Sequence, residues 1–109
     1  MTKLIEKKCQ ACEGEEHALS KDEQRHFFSE LSEEWVIESN KLKREYKFKN
    51  FKQGLDFTNK LGALAENEGH HPDITLIWGK VLVVIYTHKV NDLTENDFIL
   101  AAKCDLILT

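Results

Sequence analysis

Three of the five histidines of this 109-residue chain stand in one stretch, EGHHPDITLIWGKVLVVIYTH, residues 68–88. His70 and His71 are adjacent and precede Pro72, and His88 closes the apolar run that follows. Imidazole gives or takes a proton near neutral pH, because its ordinary pKa is about 6.5. Imidazoles that converge on one pocket therefore supply a general acid and a general base together. Three histidines also suit zinc, copper or iron, but adjacent histidines rarely both reach one ion without an unusual backbone. Taken singly, each histidine is adequately explained as a polar residue finishing a strand or cap.

A second candidate is the C-x-x-C of Cys9 and Cys12. A structural zinc site needs about four ligands, and only His17 and His26 lie near this pair. A redox pair normally sits where a strand meets a helix, and no apolar strand precedes Cys9. The motif alone is a weak signal. The third cysteine, Cys104, falls in an apolar helical pattern and reads as core.

The elements that must position the histidines follow from periodicity and caps. Residues 1–19 read as a polar leader in which Leu4 and Ile5 can dock, and residues 20–109 as a single domain. SKDE at Ser20 is a capping box, with Glu23 reaching back to the cap, and it opens a helix with Phe27, Phe28 and Leu31 on its apolar side. Trp35, Val36 and Ile37 form a first strand, Ser39-Asn40 a turn, and Leu42, Tyr46 and Phe48 alternate with charges in a second. NKLKREYKFKNFK is locally basic, and Lys43, Glu45 and Lys47 share one solvated sheet face. A second helix starts near Phe51, capped by Asn50 and Gln53, with Phe57, Leu61, Leu64 and Ala65 on its inner side. Gly69 suits a helix C-terminus, and Pro72 blocks continuation.

Residues 74–78 and 81–87 read as a hairpin. With Gly79-Lys80 as a two-residue type II′ loop, His71 falls opposite His88, where Cβ atoms are about 4.5–5.5 Å apart. Pro72 keeps His71 extended, and Gly69 lets the chain bend so that both adjacent imidazoles enter one pocket. A last helix spans residues 94–108, with Phe98, Ala102 and Leu106 inward. The order α-β-β-α-β-β-α implies an α+β fold, a four-stranded antiparallel sheet with three helices packed on one face.

Composition is that of a globular protein, 41% hydrophobic and 31% charged, and the net charge of −4 argues against non-specific nucleic-acid binding. No apolar run is long enough to span a membrane, and the N-terminus shows no signal-peptide hydrophobic region. The expectation is a cytoplasmic protein with reduced thiols.

The set Glu66-x3-His70-His71-Pro72-x5-Trp78-x9-His88-x8-Asp97 resembles the signature of the pterin-4a-carbinolamine dehydratases. The likeness runs from about Ser20 to Ile107 and includes EWVIES, YKFKNFKQGLDFTNKLG and THKVNDLTENDF; Cys9 and Cys12 lie outside it. The resemblance implies dehydration of 4a-hydroxytetrahydropterin to quinonoid dihydropterin, a step that regenerates the pterin of aromatic amino-acid hydroxylases. It implies no metal and no bound cofactor, and a homodimer or homotetramer. It also implies His70 and His88 as the acid–base pair and His71 as a substrate-binding group. Glu66 and Asp97 complete the expected binding site. Glu66 is a carboxylate in a last helical turn, which the helix dipole disfavours, so a site role such as orienting an imidazole is favoured. Asp97 lies in a first turn, where capping and site support are equally good explanations. Trp78 reads as hairpin packing rather than a pterin platform. Animal relatives also serve as dimerisation cofactors of a homeodomain transcription factor, so the competing reading is a non-enzymatic interaction module that pairs through a sheet edge.

Overall fold

The computed structural model describes residues 3–10 and 18–108. Its elements are α1 (Lys21–Phe28), β1 (Val36–Glu38), β2 (Lys41–Lys47), α2 (Phe51–Glu68), β3 (Asp73–Ile77), β4 (Lys80–Ile85) and α3 (Glu95–Leu106), preceded by a 3₁₀ turn at Leu4–Glu6. The order is the expected α-β-β-α-β-β-α, and the antiparallel sheet runs β1-β2-β4-β3. The two hairpins therefore join through their second strands, which leaves β1 and β3 as edges.

Local chemistry sets these elements. Ser20 and Glu23 form the reciprocal capping box of α1. Asn50 accepts from the Gln53 amide at the start of α2, and Gly69, with φ of 68°, ends that helix in the left-handed conformation a glycine adopts without Cβ strain. Ser39 and Asn40 turn β1 into β2 with φ of 53° and 61°, which matches the right-handed twist of the flanking strands.

The core lies between the sheet and the helices. Val81, Val83 and Ile85 of β4 and Leu42 of β2 are all 0% exposed. They alternate with solvent-side residues, as period two requires. Phe57 and Leu61 of α2 join the same core, with Ala65 buried one turn further on at the same helical spacing. Full burial of side chains of this size contributes about 1.5–3 kcal/mol each. Lys43, Glu45 and Lys47 do share the open face, each paired across to β4 at Val84, Leu82 and Lys80.

The last helix corrects an expectation. A single inward stripe of Phe98, Ala102 and Leu106 is not what forms, because residues 96–102 and Cys104 are all buried while Leu106 is 47% exposed. Its outer side is covered by further chain. The turn at Leu4–Glu6 packs on it, and Phe27 of α1 meets Phe98 with ring centroids 5.8 Å apart. A helix covered on both sides loses its amphipathic pattern.

The far end of α3 is tied to the sheet by Asp105. Its carboxylate accepts from Trp35 Nε1 at 2.9 Å, Arg44 Nη1 at 2.7 Å and Tyr46 Oη at 2.5 Å. Arg44 is thus a charged residue on the helix-facing side of β2, made tolerable by this partner. We expect Asp105→Ala to destabilise the protein by about 2–3 kcal/mol, since three part-buried donors lose their acceptor. Urea unfolding would measure it, and a loss below about 0.5 kcal/mol would show that solvent satisfies those donors.

Candidate active site

His70 and His71 leave α2 through the Gly69 cap. The amides of Gly69 and His70 both return to the Ala65 carbonyl, at 2.9 and 3.3 Å, so the chain turns within one residue. Adjacent side chains in the extended segment that follows then part company. The His70 ring goes inward, with its side chain 9% exposed, and its Nε2 lies 2.6 Å from Asp97 Oδ1. The His71 ring goes outward, 60% exposed, and pairs through Nε2 with the Glu66 carboxylate one helical turn back. Gly69 does supply a sharp bend, but the two imidazoles point apart.

Asp97 is 0% exposed. Its Oδ1 faces His70, while Oδ2 accepts from the Thr94 amide and the Thr87 hydroxyl, both at 2.8 Å. Thr94 Oγ1 lies 2.9 Å from Thr87 Oγ1. Because the Thr87 proton is committed to Asp97, the Thr94 hydroxyl donates to Thr87. Asp97 thus closes the first turn of α3 and also holds an imidazole. With Oδ2 already taking two donors, His70 Nε2–H donates to Oδ1 in the neutral ring. Its Nδ1 is then the nitrogen left to exchange a proton with a bound molecule.

The hairpin register differs from the sequence count. Ile77 pairs with Lys80 and Ile74 with Val83, so Trp78 and Gly79 form the loop, and position 71 extrapolates to a place opposite 86 rather than His88. Gly79, with φ of 75°, takes the second loop position, where a type II turn needs a positive φ; the first position of the expected type II′ loop would have needed one as well. Trp78 takes the other loop position and is 71% exposed, so it does not pack in the hairpin.

His88 is exposed and stacks on Tyr86, with centroids 4.1 Å apart and planes at 30°. Lys41 Nζ stands 4.8 Å from the centre of the Tyr86 ring. Thr87 lies between these two residues and points the other way, to Asp97. Its amide donates to the Asp92 carbonyl at 3.0 Å, closing the loop that returns the chain to α3. The structure therefore joins His70 to Asp97 and His71 to Glu66. It links His88 to the first pair through the neighbouring Thr87 rather than by facing His71. Sequence reasoning missed Thr87. Its signal was available: positions 81, 83, 85 and 87 form the core-facing side of β4 and its extension, and a threonine after Val, Val and Ile implies a buried acceptor.

Among the described residues, no group of three or more His, Cys, Asp or Glu side chains is arranged to hold a metal ion. No helix among them is long and apolar enough to cross a membrane.

Fold and site together define a small α+β protein built around a buried imidazole–carboxylate pair. A family model described as Pterin 4 alpha carbinolamine dehydratase matches residues 17–107, and the chain belongs to that family. It is 53% identical over 106 residues to a protein of Alkaliphilus metalliredigens named for pterin-4-alpha-carbinolamine dehydratase, covering 96% of each chain. A protein of Rickettsia bellii with the same name is 52% identical, over 95% of this chain and 93% of its own. One of Rubrobacter xylanophilus is 41% identical, over 96% and 98%. Among solved structures, the transcriptional coactivator/pterin dehydratase of Brucella melitensis superposes with a TM-score of 0.76 at 29% identity. That match covers 84% of this chain and 99% of the other.

Residues 3–10 lie outside the family match, yet they are packed on the domain. Leu4 is 1% and Cys9 6% exposed. The Cys9 amide donates to Glu68 Oε1 at 2.9 Å and its thiol to the Asn96 carbonyl at 3.5 Å. Burial first, then the nearby Glu68 carboxylate, pushes this thiol up to about 12, so it stays protonated and is a poor nucleophile. Cys12 and His17 lie outside the described residues, and the C-x-x-C reading goes no further than Cys9.

Burial alone would raise the Glu68 carboxyl. The Lys103 ammonium, 2.6 Å from Oε2, together with the Cys9 amide and Lys8, outweighs burial and holds it below its ordinary 4.5. A depressed carboxyl contributes stability in full above the unfolded value and loses it as pH falls through the folded one. We therefore expect the melting temperature of the native protein to fall more steeply below pH 4.5 than that of Glu68→Gln. Parallel curves for the two proteins would remove Glu68 from the acid response.

Proposed function

We propose that this chain dehydrates 4a-hydroxytetrahydropterin to quinonoid dihydropterin and water, with His70 and His88 as the acid–base pair. The observation that carries the reading is the His70 imidazole, buried against Asp97 and oriented through it by Thr87 and Thr94. Family membership supports the substrate class. The reaction demands two proton movements. Hydroxide leaves C4a poorly unless an acid protonates the departing oxygen, and the new double bond forms as a base takes the proton from N5. The C4a–O bond breaks, its electron pair leaves with the water, and the N5–H pair becomes the C=N bond. One proton is given and one taken, so the enzyme's proton count is unchanged; the acid and base have exchanged protonation states, which solvent at the exposed His88 resets.

In this reading the residues of this chain divide that demand between them. His70, held through Nε2, offers Nδ1 for one transfer. His88, reachable from solvent and supported by the Tyr86 ring, offers the other. His71 and Glu66 form an exposed pair one turn from His70 and serve to bind the pterin. Asp97 contributes to the substrate site through His70, since its own oxygens are occupied. The proton chemistry is complete within these side chains, so the proposed enzyme is a hydro-lyase with no metal or further cofactor. We further propose that it works in the cytoplasm as a homodimer or homotetramer, recycling the pterin of an aromatic amino-acid hydroxylase, with no nucleic acid or membrane involved.

The Brucella melitensis structure is also named as a transcriptional coactivator, which favours one alternative, a protein-interaction module. Such a module needs no intact histidine pair.

Stopped-flow dehydration of a 4a-hydroxypterin separates the readings. We expect His70→Ala and His88→Ala each to lower kcat on the order of 10²–10⁴-fold, with melting unchanged in His88→Ala and lowered in a still-folded His70→Ala, which leaves Asp97 Oδ1 without its donor. Thr87→Val, which removes one support of Asp97, should cost on the order of tenfold. Chelator should leave the native rate unaltered. Native rates in both histidine variants would remove the mechanism, and no dehydration by the native protein would favour the module.

A further inference from the structure

The two halves of the imidazole–carboxylate pair sit on different elements. His70 follows the end of α2, and Asp97 lies in the first turn of α3, 27 residues later. Their 2.6 Å contact depends on the relative placement of two helix ends. The N-terminal segment grips both. On the α2 side, the Cys9 amide holds Glu68 at 2.9 Å, and Lys8 Nζ reaches the Asn67 carbonyl at 2.8 Å. On the α3 side, Asn96 exchanges two hydrogen bonds with the Gln10 backbone. Oδ1 accepts from the Gln10 amide and Nδ2 donates to the Gln10 carbonyl, both at 2.9 Å. Lys7 pairs with Glu95. Lys103 of α3 closes the frame on Glu68. The residues held are therefore 67 and 68, just before Gly69-His70, and 95 and 96, just before Asp97. Leu4, in the core and with its amide 3.2 Å from Glu30 Oε1, fixes the segment's other end.

We propose that residues 3–10 are a strap that sets the His70–Asp97 geometry, with Asn96 and Glu68 as its positioning residues. The strap matters for turnover only if the acid–base reading holds, but its effect on the pair is measurable without turnover. Directional bonds from one extended segment to two helix ends oppose sliding of one end past the other. A misplacement of about 1 Å costs on the order of 10²-fold in rate, so a partial loosening should cost less. The segment lies outside the family match at 17–107. The relatives that align over 106 of the 109 residues, such as the Alkaliphilus metalliredigens protein, nevertheless extend across most of it.

The test uses two full-length variants. Asn96→Ala removes both bonds to Gln10. Gln10→Pro removes the amide donor without altering either helix, and so remains informative if the first variant folds poorly. The readout is the pair of ring 15N shifts of His70, assigned by their loss in His70→Gln. We expect one fixed Nε2–H tautomer in the native protein and a tautomer mixture in both variants. In both, kcat should fall about tenfold while KM stays within about twofold. Asp105→Ala, weakened at the far end of α3, should keep the native tautomer. Native shifts and kcat in both strap variants would overturn the proposal, and so would an equal change in Asp105→Ala, which would make the strap a source of stability alone. If the native protein shows the fixed tautomer but no dehydration, the functional reading fails while the strap stands.

Discussion

A carboxylate with no exposed surface is the constraint around which this protein is arranged. Moving an ionised group out of water costs many kcal/mol unless donors replace the lost solvent. Asp97 receives them from three places: the Thr94 amide, the Thr87 hydroxyl and the His70 ring. Those donors come from the start of α3, the chain just past β4 and the exit of α2. The three segments cannot drift apart without stranding the carboxylate, so the requirement that buries it also fixes where the elements meet.

The same logic explains the architecture at the opposite end of α3. Asp105 gathers Trp35, Arg44 and Tyr46 as Asp97 gathers Thr87, Thr94 and His70. One helix thus carries an acidic anchor in its first turn and another in its last. Between them its surface is covered by the sheet on one side and by α1 and the N-terminal segment on the other. The two anchors are unequal in solvation. Asp105 retains 22% of its side-chain exposure, and Asp97 none. Only the second is shaped to hold an imidazole in place away from bulk water.

What the sequence revealed follows from how local each feature is. Capping boxes, the left-handed glycine and period-two strands depend on residues a few positions apart, and Ser20, Asn50, Gly69 and the β2 alternation all stand as read. The hairpin register failed because a glycine with positive φ fits either position of a two-residue loop, and local composition does not choose between them. The inward stripe of α3 failed because burial on both sides erases periodicity, and the chain that covers its outer face includes a leader with no periodic signal of its own. Within the site, residue identities were readable but their pairings were not. Histidines at 70, 71 and 88 stood out as unusual at once. That Asp97 takes His70 while Glu66 takes His71 depends on a bend at Gly69 whose direction local sequence does not specify.

That bend divides two identical side chains into unlike environments. One imidazole is packed beside a buried carboxylate, where its orientation is set by hydrogen bonds that solvent does not contest. Its neighbour pairs with a carboxylate that is 78% exposed, where ion pairs contribute little and side chains move readily. A group that must transfer a proton along one direction benefits from the first setting, because orientation lowers the barrier only if it is already in place. A group that must accept an incoming ligand benefits from the second, because it has to be reached. The adjacency that makes His70-His71 a poor ligand pair for one ion therefore suits the division of labour in the proposed mechanism, with the fixed ring transferring a proton and the adaptable one binding the substrate.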